Sequence, residues 1–405
     1  MNRYRTRRGH LFTGVVSVVL AVLVIAAAVY FHLAGARKAE LYAKQQYYSA
    51  LVESEAAWLC EIQLENGALP FRGQTDGTAS VTPYFSDIAA WGLLKAEKYD
   101  AVKAYMQWHF AHLNTAQEDK NGIAGTIYNY EVEVAGGVVT REQTDQSYDS
   151  VDSYAATFLK LVCDYVQSTG DQAFLMQHAQ EFLAVLEAME STIDRDGLAV
   201  TKPSYPVKYL MDNAEVYAAL KSTAALLQKY PLEGSPQILE RINGRVAAME
   251  GSLENLLWNQ QENRYEIGLD DKGEPLRFQG WHEFYPDATA QVFPILFGVI
   301  QPEDERAQAL YEQFCAAYAW EDMAHYETDN ASFYWGLSAY AGALMQDKPR
   351  VHSYMAYYNS NILPRRDYPL YCADAGWVIL ACDQMADDYQ EQMQKIDPLG
   401  IVPVH

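Results

Sequence analysis

Five cysteines are scattered through 405 residues, and no two of them form a Cys-x-x-Cys pair or lie beside a histidine. That spacing excludes a zinc ribbon, a thioredoxin-type redox site and a Cys/His zinc centre. Basic side chains are scarce: 30 Lys and Arg stand against 53 Asp and Glu, for a net charge of −23. A surface of that sign repels phosphate backbones, which argues against a nucleic-acid partner. The 24 glycines and 15 prolines follow no period, so the chain is neither collagen-like nor a low-complexity array. It is half hydrophobic and only 20% charged, too apolar for disorder.

Acidic residues are missing altogether from positions 1–38, which hold six basic ones: Arg3, Arg5, Arg7, Arg8, Arg37 and Lys38. Between the two basic groups, residues 11–34 contain no Asp, Glu, Lys or Arg. At about 1.5 Å per residue that run is long enough to cross a hydrocarbon core of roughly 30 Å. The basic excess before it predicts an N-terminus on the cytoplasmic side. The expected layout is a basic cytoplasmic tail (1–10), a single transmembrane signal anchor (11–34) and an extracytoplasmic domain (35–405). A cleaved signal peptide is the rival reading, but its apolar core would be shorter.

From residue 39 onward, apolar positions recur every three or four residues. This spacing predicts twelve helices, at 39–65, 84–96, 99–115, 150–169, 171–190, 210–230, 236–258, 284–300, 303–319, 330–346, 349–361 and 372–389. Every second connection is a short turn, while the others are mostly long. Stacked helical hairpins put all short turns on one face and all long loops on the other. The expected fold is therefore all-α, an (α/α)6 toroid of six helical hairpins, with small β-hairpins in the loops over one face. The hairpins are read at 126–134 with 138–143, and at 264–269 with 275–279. Asn-Gly and Asp-Gly at 66–67, 121–122 and 196–197 read as turns, because the carboxylates of a calcium loop do not follow them. No sequence feature calls for a metal or an organic cofactor.

The helices entered from the long loops carry an acid in or near the first turn, beside Tyr or Trp. The clusters are Tyr84 to Asp87, Tyr148 to Asp152, Tyr209 to Asp212, Trp281 to Asp287, Tyr326 to Asp329 and Tyr371 to Asp374. N-capping explains any one such acid, since a carboxylate suits the free amides and dipole of a helix start. In a ring, however, all six would converge on one mouth lined by acids and aromatic rings. Aromatic faces suit the C–H faces of sugars, and paired carboxyl groups are the reagents of glycosidic cleavage. Asp152, one turn from Asp149, Asp87 and Asp287 are the catalytic candidates. Asp149, Tyr148, Tyr154, Trp91, Trp281, Glu283, Tyr285, Asp212 and Asp374 are the substrate-binding candidates. His282 with Tyr285 would suit a polysaccharide lyase, but that chemistry takes uronic acids and a basic neutralising group, which this acidic domain disfavours.

The Asp-led helices resemble the six-hairpin glycosidase superfamily, and within it the chain is most similar to family 8 glycoside hydrolases. The stretch Ser86-Asp87-Ile88-Ala89-Ala90-Trp91-Gly92 stands where that family opens its first inner helix with Ser-Glu-Gly, whose Glu is the general acid. Asp149-Ser150-Val151-Asp152 is similar to its sugar-binding Asp-Ala-Asp, and Lys202-Pro203-Ser204-Tyr205 to its Pro-Ser-Tyr. The resemblance implies hydrolysis of a cell-surface or secreted polysaccharide. Asp87 departs from it, being one methylene shorter than the Glu it replaces. The alternative is an inactive toroid that binds glycan or protein within an envelope polysaccharide synthesis or export complex.

Overall fold

The computed structural model describes residues 3–74, 76–323 and 333–396; the cluster at 326–330 and the tail at 397–405 lie outside them. The chain forms two compact units, one of residues 51–384 and one of residues 1–50 with 385–405. The first helix, α1 (Arg3–Ile62), continues without a break from the apolar run into the residues that follow. It is long and apolar enough to cross a membrane, and the side chains along the run, Val18, Leu23 and Ile25 among them, are exposed. No other helix among the described residues meets that test.

After α1 the helices are α2 (Pro83–Lys95), α3 (Tyr99–Ala111), α4 (Asp152–Thr169), α5 (Gln172–Gln177), α6 (Ala179–Ser191) and α7 (Leu210–Lys229). They continue with α8 (Ser235–Ser252), α9 (Phe293–Leu296), α10 (Glu305–Ala317), α11 (Gly336–Leu344), α12 (Lys348–Tyr357) and α13 (Cys372–Ile396). Two kinds alternate. Burial runs unbroken from Ser86 to Leu94 in α2, and nearly so through α4, α7, α11 and the first turns of α13. Helices apolar all round belong in an interior. The intervening α3, α6, α8, α10 and α12 bury one stripe only.

The buried helices touch in sequence: α2 packs on α4, α4 on α7, α7 on α9 and α9 on α11. Two glycine contacts complete the series. A Cβ on Gly336 of α11 would lie 2.9 Å from the Asp374 carbonyl of α13. Where α13 crosses α2, a Cβ on Gly376 would lie 2.3 Å from the Ile88 carbonyl. The contacts therefore return to the helix from which they started.

Several boundaries differ from the sequence reading for local reasons. The helix expected at 284–300 is a π-helical turn, Phe284–Ala288, followed by the single turn of α9, because Pro286, Pro294 and the positive φ of Gly298 interrupt it. The segment 171–190 divides into α5 and α6 at His178. The first hairpin, β2 (Tyr130–Ala135) with β3 (Val138–Gln143), gains a third strand, β1 (Gly77–Val81). The second hairpin does not form as a pair of long strands. Instead β4 (Lys208–Tyr209) pairs with β7 (Gly268–Leu269), and β5 (Trp258–Asn259) with β6 (Arg264–Tyr265).

Candidate active site

The N-terminal ends of the buried helices surround a cavity of about 540 Å³. α2 contributes Tyr84, Phe85 and Ile88, and the start of α4 contributes Ser153 and Tyr154, with Asp149 just before it. Met211 and Asp212 come from α7, Tyr285 from the π-helical turn, Leu337 from α11 and Trp377 from α13. Asn129, Phe333, Trp335 and Tyr371 complete much of the wall from the loops. The wall thus combines carboxylate, amide and hydroxyl groups with many aromatic rings. No Lys, Arg or His lines the cavity among the described residues.

Among the described residues, Asp149 and Asp212 are the carboxyls that line the wall. α4 begins at Asp152, so Asp149 lies outside the helix and the two acids do not share its face. The reason lies in the loop. Val151 N–H donates to the Thr201 carbonyl at 2.7 Å, and Lys202 Nζ donates to the Tyr148 and Asp149 carbonyls at 2.9 and 2.6 Å. That turns Asp149 outward, where it is exposed, and Asp152 inward, where it is fully buried. Asp212, in the first turn of α7, accepts a hydrogen bond from Thr201 Oγ1 at 3.4 Å. Burial and then the charge of Asp149 push its pKa up to about 7.

One turn further along α7, Glu215 is buried beneath Asp212 and accepts a 2.7 Å hydrogen bond from Tyr84 Oη. Desolvation first, and Asp212 second, hold its carboxyl well above the ordinary range. The same causes, in the same order, raise Asp152. Glu215 is not singled out by the sequence, and Tyr84 opens the first acid–aromatic cluster without being a site candidate there. The spacing of Asp212 and Glu215, three apart on one helix, is the signal that would have found Glu215.

The other sequence candidates sit elsewhere. Asp87 is fully buried behind the wall, accepting from Tyr105 Oη at 2.8 Å and Thr157 Oγ1 at 2.7 Å, with His109 Nδ1 at 3.6 Å. Asp287 is buried too; its Oδ2 accepts from the backbone amides of Gln279 and of Gly280, which fixes the loop before the π-helical turn. Asp374 accepts from the Gly336 amide at 3.0 Å, so it caps α11 from α13, and burial pushes it up to about 7. Tyr148 is buried, stacked on Tyr128 and hydrogen-bonded to Asn121, and Trp91 lies in the interior against Trp377 and Phe297. Trp281 and Glu283 are half-buried in the loop and do not line the cavity. Tyr154 and Tyr285 do line it. Tyr154 bonds Asn129 at 3.0 Å and stacks on Tyr84, while the exposed Tyr285 ring lies 5.2 Å from that of Trp335. Among the described residues no group of three or more His, Cys, Asp or Glu side chains is placed to hold a metal ion.

A solved structure described as a wild-type glycosidase superposes with a TM-score of 0.57, covering 84% of this chain and 97% of that one at 11% identity. The chain has a glycosidase-like fold. A GH63 mannosylglycerate hydrolase from Thermus thermophilus, solved with glucose, gives 0.54 over 82% of this chain and 99% of its own at 13% identity. A novel alpha-amylase from Clostridium perfringens gives 0.51, with 83% and 97% covered at 9% identity. No family model and no curated protein matches the sequence.

Proposed function

We propose that this chain is a glycoside hydrolase built on an (α/α)6 toroid of six hairpins. In this reading residues 11–34 anchor it in a membrane, its N-terminus is cytoplasmic and residues 35–405 act outside on a cell-surface or secreted polysaccharide. One observation carries the activity: Asp149 and Asp212 share a single aromatic-walled cavity, and Asp212 is the one pushed up to about 7. A carboxyl with that pKa is still substantially protonated near neutral pH and can act as the general acid. Asp212 delivers its proton to the glycosidic oxygen as the C–O bond breaks. Asp149, exposed and beside Lys202, acts on the opposite side, toward water or the anomeric carbon, and the proton lost is recovered from the water consumed. The rings of Trp335, Tyr285 and Trp377 receive sugar C–H faces, and Asn129 and Tyr154 address hydroxyls. The carboxyls of Asp149 and Asp212 on the wall favour a neutral glycan over a uronic-acid one, whose carboxylates they would repel.

The similarity to family 8 is kept in this proposal at the Asp149 to Asp152 segment, which supplies a cavity carboxyl. Asp87, Asp152 and Asp287 hold the frame behind it. A second reading is favoured by one feature: Asp87, standing where that family has its acid, is buried under three partners. That reading is a glycan-binding toroid without hydrolytic activity. Full-length protein in detergent, incubated with a panel of neutral polysaccharides and assayed for new reducing ends, separates the two. Cleavage that is lost in Asp212→Asn and Asp149→Asn supports the hydrolase. Binding without cleavage leaves only the receptor, and cleavage undiminished in both variants refutes the carboxyl assignment.

A further inference from the structure

Ser153 is an anomaly in this site. It lies on the cavity wall, yet its hydroxyl oxygen is buried and has no partner at hydrogen-bonding geometry. Buried hydroxyls without partners are rare in native proteins and call for a reason. This one stands beside two carboxyls, Asp212 and Glu215, near enough to favour the charged form of each. Glu215 is fixed from the other side by Tyr84 Oη at 2.7 Å, so it does not turn toward the cavity. The hydroxyl rotor is therefore the mobile donor of the group.

We propose that Ser153 is a positioning residue that donates its hydroxyl to Asp212 when that carboxyl gives up its proton, with Glu215 as the buried support that keeps the hydroxyl beside it. The inference rests on the reading of Asp212 as general acid. In the step itself the Asp212 O–H bond breaks, a new O–H bond forms on the leaving glycosidic oxygen, and Asp212 is left as a carboxylate. Ser153 keeps its own proton and only rotates it toward the new charge. Hydrogen bonding to the charged form is what a departing acid needs, and among the described residues no Lys, Arg or His on the wall supplies a cation for it. The titratable groups facing Asp212 are Asp149 and Asp152 from the α4 end, Glu215 from its own helix, Tyr84 from α2, and Tyr209 and Tyr285 from the adjoining loops. All are acids or phenols; Lys202 engages the backbone carbonyls of Tyr148 and Asp149 instead.

The test uses full-length Ser153→Ala and Ser153→Thr in detergent, with two readouts. The first is the titration of the Asp212 carboxyl by NMR on protein carrying 13C-labelled aspartate, its signal assigned by its loss in Asp212→Asn. The second is the pH dependence of kcat and KM. Removal of the hydroxyl is expected to move the Asp212 midpoint and the alkaline limb of kcat upward together. It should also lower kcat by about 10–100-fold, the size of one hydrogen bond to a charged group, while leaving KM nearly unchanged. Threonine, which keeps the hydroxyl, is expected to restore both. An Asp212 midpoint identical in wild type and Ser153→Ala overturns the proposal, as does a loss that appears in KM or in thermal stability alone. If wild-type protein hydrolyses nothing, the hydrolase reading falls, and the NMR midpoint still decides whether Ser153 is coupled to Asp212.

Discussion

Substitution of Gly376 by alanine tests the arrangement that brings the site together. Gly376 lies where α13 crosses α2, and a Cβ there would sit 2.3 Å from the Ile88 carbonyl oxygen and 2.9 Å from Ala89 Cα. Close carbon–oxygen contacts between backbones run at about 3.3 Å or more, so the two helices must part by roughly 1 Å. Overpacking of this kind costs about 1–3 kcal/mol. The upper end applies, because the atoms met are backbone and cannot rotate aside. The gain of alanine over glycine inside a helix, at most about 1 kcal/mol, offsets only part of that. Against an unfolding entropy of about 2.1 cal/mol/K per residue over residues 51–384, a net loss of about 2 kcal/mol corresponds to a melting temperature lower by roughly 3 °C. Ile88 and Trp377 also line the cavity, so substrate affinity should weaken in the same variant. Gly244 in α8 is the control, since a Cβ added there would meet nothing within 4 Å. There the same change is expected to raise the melting temperature slightly. Calorimetry of both variants decides: equal, small upward shifts would refute the close α2–α13 contact and the ring argument built on it.

Asp212 also links stability to pH. Its folded pKa of about 7 lies above the usual carboxyl value, so its contribution is fully present in acid and is lost as pH rises toward and through 7. Asp212→Asn should therefore melt higher than wild type at pH 8 but not at pH 4, while losing hydrolytic activity at every pH; melting curves at the two pH values check it. Trp335→Ala removes a half-buried ring that stands 5.2 Å from Tyr285 on the cavity wall. It should raise KM about tenfold with a smaller effect on kcat, as one stacking face of roughly 1–2 kcal/mol is lost. Polyuronates should neither bind nor compete with a neutral glycan at low salt, which equilibrium competition measures; tight uronate binding would count against the acidic wall.

Some of the site is legible without the fold. Asp149, Asp212, Tyr154 and Tyr285 stand out by the pairing of acids with aromatics at helix starts, and all four line the cavity. Asp87, Asp287 and Asp374 carry the same local signal and are buried against amides, hydroxyls or an imidazole instead. A first-turn acid can face the cavity or cap a neighbouring chain, and its sequence neighbours do not distinguish the two. Glu215 is hidden for the opposite reason, lying past the first turn in what reads as core.

Sequence by itself determined the helical period, the alternation of short turns and long loops, the apolar run at 11–34 and the acidic balance, because each depends on local spacing or on composition. Tertiary structure decided which acids meet. Val151 tied to Thr201 turned Asp149 and Asp152 apart, and the Tyr84 hydroxyl from α2 reached Glu215 on α7. The glycine crossing brought α13 onto α2. Those contacts join residues far apart in the chain, and burial within them, more than residue type, sets which carboxyl holds its proton.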